Sequence, residues 1–138
     1  MDQVQEEIIN EFKNLPSWEE KYEKIINLGK SLPPLASKFK TESNKISDCT
    51  SRVWLIAEEI NGTLNFKSDS DSMMVKGLVS LLLKTYSGKT FNKIIQTKPY
   101  FIEKIGLENH LSPTRNNGIM SVLKQIKVYA IGFSHITN

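Results

Sequence analysis

One residue in this chain of 138 could carry nucleophilic chemistry without help from a partner thiol. Cys49 is the only cysteine. It lies in KISDCTSRVWL, residues 45–55, between a polar run and a strongly apolar segment. A lone thiol has two common uses, as a small buried hydrophobe or as a nucleophile and metal ligand. It cannot form an internal disulfide, which agrees with a reducing compartment. Metal binding would have to recruit His110 and His135, and the three residues have none of the short spacings that gather ligands. Cys49 with His110 leaves open a nucleophile pair of the cysteine-hydrolase kind, since separation along the chain says nothing about distance in the fold. No Ser/His/Asp arrangement is visible.

Two further motifs invite a ligand and lose it on inspection. SGKT at 87–90 has the end of a phosphate-binding loop, but position 83, where that loop needs glycine, is Leu, and the segment before it reads as a helix rather than a strand. Gly88 reads as a helix C-terminal residue and Thr90 as the next N-cap. DSDS at 69–72 opens like a calcium loop, but Met73 stands where an oxygen ligand belongs and no glycine follows. Those residues read as helix caps.

The elements that must position Cys49 are legible from periodicity. Val4, Ile8, Phe12 and Leu15 fall at helical spacing and predict a helix over about 2–14. Ser17 caps a second helix, with Glu20 three residues on to close a capping box, and Pro33-Pro34 end it. Residues 35–48 form a polar connection. RVWLIAEEI, from 52 to 60, is rich in β-formers and nearly continuous in apolar character, which predicts a strand covered on both faces. Asn61-Gly62 marks a hairpin, and TLNFKS returns with Leu64 and Phe66 on one face. A mostly buried helix runs from Ser72 to Tyr86, with Lys76, Ser80 and Lys84 as its one wet stripe and Gly77 permitting close packing. Trp54 is expected in the core. Two short helical pieces follow over about 90–96 and 99–105, with Gly106 as a cap. The last helix starts at SPTR, with Ser112 capping and Pro113 in the first turn, and Ile119, Val122, Ile126, Tyr129 and Phe133 face inward. This is a segregated α+β fold, a small antiparallel sheet packed against several helices, spanning 1–138 as a single domain. Cys49 falls at the rim of the sheet, in the loop that leads into its first strand.

Composition narrows the function classes. Apolar residues are 39% and charged residues 24%, as in an ordinary water-soluble globular domain. The longest apolar run is far too short to span a bilayer. The start, MDQVQEEIINEF, has neither the basic and apolar regions of a signal peptide nor the arginines of a transit peptide, so the expected location is cytoplasmic. Residues 1–23 hold seven acids against two bases, a net of −5, so the remainder carries +8 of the overall +3. Those lysines are scattered singly with no interleaved aromatic platform, which argues against nucleic-acid binding.

NKISDCTSRVWL resembles the segment around the active cysteine of the SufE-type (SufE/CsdE-like) sulfur acceptors, whose pattern is roughly aliphatic-x-Gly-Cys-x-Ser-x-Val-Trp. WEEKYEKIINLGKSLPPL (18–35), SDSDSMMVKGLVSLLL (68–83) and HLSPTRNNG (110–118) resemble further blocks of that family in the same order. The likeness covers about 8–133. It implies an α+β fold like that of iron–sulfur scaffold proteins. It also implies a sulfur relay, in which a PLP-dependent cysteine desulfurase of the SufS/CsdA type holds sulfur as a persulfide and Cys49 accepts it. The acceptor stimulates that enzyme and passes the sulfur on to iron–sulfur scaffold proteins. On this reading the chain is an accessory protein rather than an enzyme and carries no cofactor of its own, since PLP belongs to the partner. The alternative is an interaction domain of the same fold whose cysteine is inactive. Whether the chain forms a homodimer is left open.

The exchange chemistry suits a lone thiol. A thiolate attacks sulfur, and a second cysteine could attack the persulfide internally and release the sulfur. A cluster scaffold needs several thiolates, and a two-cysteine redox enzyme is excluded by count. Arg115 in SPTR could assist by lowering the thiol pKa, or could instead dock a partner; Ser51 could donate a hydrogen bond to sulfur; His110 could shuttle protons or serve structurally near the last loop.

Asp48 departs from the family pattern, which has glycine there. Aspartate tolerates the left-handed backbone region better than most residues, but a carboxylate within about 4–6 Å of a thiol disfavours the thiolate. The expected outcome is that Asp48 raises the Cys49 pKa and slows its alkylation near neutral pH, unless Arg115 or another cation neutralises it. Iodoacetamide labelling against pH, for the native protein and Asp48→Gly, checks this. Coincident profiles would reduce Asp48 to a tolerated turn residue.

Overall fold

The computed structural model describes residues 2–47 and 49–137. Helix α1 (Gln3–Lys13) starts where the Asp2 side chain accepts from the Gln5 N–H, and α2 (Trp18–Ser31) starts where Ser17 accepts from the Glu20 N–H. Each cap satisfies an amide that has no partner inside the helix. The connection after Pro33-Pro34 makes two short 3₁₀ turns, Ser37–Phe39 and Glu42–Asn44. Strand β1 (Val53–Ile60) then turns into β2 (Thr63–Ser70) through Asn61 and Gly62, at φ 51° and 82°. Two successive left-handed residues are the turn whose twist matches that of the strands, and Asn-Gly supplies them at least strain. The pairing runs from Ile60 opposite Thr63 to Val53 opposite Ser70. A two-residue β3 (Lys89–Thr90) pairs with the start of β2, giving the order β1-β2-β3.

Helix α3 (Met73–Tyr86) lies at the centre, capped by Ser72. Its contact with α2 is backbone on backbone. A Cβ built on Gly77 would lie 1.8 Å from the Ile25 carbonyl oxygen, and one on Gly29 would lie 2.3 Å from that of Met73. No side chain fits at either position. The short helices α4 (Phe91–Gln96) and α5 (Phe101–Ile105) follow, with left-handed Gly106 ending α5. Helix α6 (Pro113–Thr137) closes the domain. Tyr86, Phe12, Phe101, Leu55, Leu64 and Ile126 are fully buried between these layers. Among the described residues, no helix is long and apolar enough to cross a membrane.

Three expectations need correction. Strand β1 is covered on one face only. Val53 and Leu55 are buried while Trp54 and Ile56 are half-exposed, because successive side chains point to opposite faces and the core packs on only one of them. Trp54 is consequently not core; Lys40 and Arg52 lie over its ring, at 5.4 and 5.8 Å from the centroid. On α6, Ile119, Val122 and Ile126 are buried, but Tyr129 and Phe133 are half-buried, with the Tyr129 hydroxyl donating to the Leu55 carbonyl.

The third correction is the largest. Lys76 is not on a wet stripe. It is 5% exposed, and its ammonium lies 3.2 Å from Asp69, itself 4% exposed. Lys40 reaches the same carboxylate at 3.2 Å, and the Leu35 and Ser70 amides donate to it at 2.9 and 2.8 Å. Desolvating a lysine on an otherwise apolar helix is costly, and the facing carboxylate with its further hydrogen bonds offsets that cost.

Burial alone would raise the Asp69 carboxyl; the Leu35 and Ser70 amides and the Lys40 and Lys76 ammonium groups outweigh it and hold its pKa at about 2, against an ordinary 3.8. A depressed carboxyl stabilises the fold above its unfolded pKa, and that share is lost as pH falls through the folded value. The loss therefore falls between about pH 4 and about pH 2, and amounts to about 2 kcal/mol. Urea midpoints measured across that window should fall more steeply for the native chain than for Asp69→Asn. Equal slopes would remove Asp69 from the acid response.

Candidate functional site

The loop that carries Cys49 is held at both feet. The Ile46 amide donates to the Val53 carbonyl at 2.8 Å, and Lys45 bridges to Trp54. On the far side the Asp71 amide donates to the Arg52 carbonyl at 3.2 Å, and the Asp71 carboxylate accepts from the Arg52 amide and Nε at 3.0 and 3.3 Å. The Arg52–Asp71 ion pair is exposed and worth little alone, but the backbone bonds around it fix where the loop leaves the sheet.

Cys49 itself is half-buried, with its Sγ 3.7 Å from the Gly118 carbonyl oxygen on α6. A Cβ added to Gly118 would lie 3.4 Å from that sulfur. Beside the thiol is a slot of about 30 Å³, lined by Cys49, Thr50 and Ser51 of the loop, Val75 of α3, and Thr114, Arg115, Gly118 and Ile119 of α6. That is room for about one small atom beyond the thiol.

The lining defines the electrostatics. Val75 is the third residue after the α3 cap, Ser72, and its amide donates to the Ser72 hydroxyl. Thr114 and Arg115 are the second and third after Ser112, whose hydroxyl accepts from the Arg115 amide. The thiol thus stands beside the first turns of two long helices. Each start carries a fixed partial positive charge of about half a unit, the setting that favours a thiolate. Arg115, a cationic residue, is part of the lining. The Gly118 carbonyl acts in the opposite sense, accepting from the protonated thiol.

Of the residues singled out in the sequence, Arg115 and Ser51 line the slot with Cys49. His110 does not. Its ring stacks on Trp18 at 3.7 Å, its Nδ1 lies 3.0 Å from the Gly106 carbonyl, and its own carbonyl accepts from the Tyr22 hydroxyl. It holds the turn that leads into α6. Asp48 lies outside the described residues. His135 is near the far end of α6, about 30 Å of helix from Arg115, and no three His, Cys, Asp or Glu side chains gather to hold a metal among the described residues. Gly118 and Val75 were not anticipated as part of the site. A glycine inside a long helical pattern was the available signal for the first, since it weakens a helix unless close approach requires it.

Fold and site together define a class: a small helix-and-sheet domain that presents one thiol on a pinned loop against two helix starts. Residues 6–130 match the family described as SufE, an Fe-S metabolism associated domain. A SufE-like protein of Rhizobium etli is 41% identical over 127 residues, covering 88% of this chain and 86% of that one. SufE-like protein 1 of Arabidopsis thaliana, described as chloroplastic/mitochondrial, is 40% identical over 129 residues; the match spans 91% of this chain and only 34% of the plant protein. A solution structure of a hypothetical protein from Thermus thermophilus superimposes with a TM-score of 0.78 over 96% of both chains at 19% identity, a likeness of fold. The chain belongs to the SufE family.

The Gly118 geometry makes a testable statement. Alanine fits there in ordinary contact and suits a helix better than glycine by about 1 kcal/mol, so Gly118→Ala should hold or raise thermal stability. Its methyl narrows the slot, so labelling of Cys49 by a bulky maleimide should slow several-fold. Equal labelling rates would mean that the thiol does not react from this position.

Proposed function

We propose that Cys49 accepts sulfur from a cysteine desulfurase and carries it as a persulfide toward iron–sulfur cluster assembly. The observation that carries this reading is the thiol's place between the α3 and α6 starts, beside a slot of about one atom. The step balances without an oxidant. The Cys49 thiolate attacks the terminal sulfur of the donor's persulfide, a new S–S bond forms at Cys49, the donor's S–S bond breaks, and the donor cysteine leaves as a thiolate. PLP chemistry that loads the donor belongs to the desulfurase. This chain supplies the nucleophile, the field that favours its anion, and a sheltered place for the transferred atom.

Arg115, in the slot lining, offsets the negative charge of the attacking Cys49 thiolate before that charge passes to the departing donor cysteine, and Ser51 donates to the sulfur from the loop. His110 acts at one remove by holding the turn into α6. Removing sulfur from the donor frees that enzyme for its next turnover, so the acceptor stimulates it. A single thiol supports work in a reducing compartment such as the cytoplasm.

Incubation with a cysteine desulfurase, PLP and free cysteine tests the reading. The intact mass should rise by one sulfur atom, dithiothreitol should remove it, and Cys49→Ser should take none up and no longer stimulate turnover. A native chain that gains no mass and leaves desulfurase turnover unchanged would instead be an interaction domain with an inactive cysteine.

A further inference from the structure

The thiol loop reaches the sheet near a second cluster that the sulfur chemistry above does not use. The two oxygens of Asp69 are filled in matching fashion. Oδ1 takes the Lys76 ammonium at 3.2 Å and the Ser70 amide at 2.8 Å; Oδ2 takes the Lys40 ammonium at 3.2 Å and the Leu35 amide at 2.9 Å. Four donors fill the lone-pair sites of this buried carboxylate, and each comes from a segment that frames the loop. Leu35 and Lys40 belong to the connection that leads toward Cys49. Asp69 pairs across the sheet with Trp54, just past the loop, and Lys40 lies over that ring. Lys76 follows Val75, which lines the thiol slot.

Helix α3 is packed backbone on backbone against α2, with Gly77 against the Ile25 carbonyl. Only the sheet end and the 35–40 connection are left to be aligned with it, and Asp69 is the group bonded to both of them and to α3. We propose that Asp69, with Lys76 and Lys40, is the positioning group that registers the Cys49 loop against the α3 start. The sulfur-transfer part of this rests on the acceptor reading above; the alignment of the thiol does not. A misplacement of about 1 Å at a reacting atom can lower a rate by about a hundredfold, so the consequence is kinetic.

Lys76→Met is the informative variant. It removes one buried charge and leaves Asp69 with Lys40 and two amides, so no ion is stranded. The midpoint of Cys49 alkylation against pH should move upward, because the thiol no longer sits in the same relation to the α3 start. The saturating rate of sulfur uptake from a loaded desulfurase should fall at least about tenfold, with half-saturation changed by less than about twofold. Ile94→Val, a core change on α4 away from the loop, controls for general loosening and should move neither readout. If Lys76→Met does not fold, Lys40→Met detaches the other side of the cluster and must give the same upward shift. An alkylation profile that superimposes on the native one overturns the proposal, whether or not uptake falls, since loss of uptake alone would reflect softening. If the native chain accepts no sulfur, the acceptor reading fails, and the alkylation profiles still decide the positioning claim.

Discussion

The close approach of α2 and α3 at Gly29 and Gly77 is the constraint on which the rest depends. Helices normally meet through side chains, with axes 8–10 Å apart. Here main chain meets main chain, and any Cβ at either glycine would lie inside a carbonyl oxygen. The gain is that α3, apolar on nearly every face, can bury itself among α2, β2 and α6 in a chain of this size. The resulting rigidity is inherited by both things that α3 holds at its start, the Ser72 cap with Val75 beside the thiol and Lys76 beside Asp69.

The site balances opposing effects rather than maximising one. The two helix starts beside the slot favour negative charge, while the Gly118 carbonyl accepts from the protonated thiol. A thiol stabilised only as the anion would be open to any oxidant, since susceptibility follows thiolate character and exposure. One stabilised only as the neutral form would be inert. In the described arrangement the protonated side chain has a resting partner and the anion has a field to enter.

Much of this was readable from residue order. Asn61-Gly62 announced the hairpin, the serines at 17, 72 and 112 announced three helix starts, and Cys49 stood out by count and by its place before the first strand. These features are local, with cause and effect within four residues of each other. What was not readable depends on pairings between distant segments. The wet stripe through Lys76, Ser80 and Lys84 is a sound inference from α3 alone, and it fails at Lys76 because Asp69 approaches from β2. The coverage of β1 differs from the expectation because an apolar run does not reveal whether both faces of its sheet are packed over. Arg115 and Ser51 are part of the slot lining, whereas His110 stacks on Trp18, a contact that no spacing rule encodes.

The floor of the thiol slot has a property of its own. Opposite the sulfur, the wall is the main chain of Gly118, inside a helix, with no side chain upon it. Side-chain walls have rotamers, and filling the space they border freezes some of that freedom, at up to about 1.5–2 kcal/mol for a long residue. A wall of helical backbone has already lost its freedom during folding. An atom arriving beside Cys49 therefore meets, on that side, a surface with no conformational entropy left to surrender, whose shape does not vary with the packing of neighbouring residues.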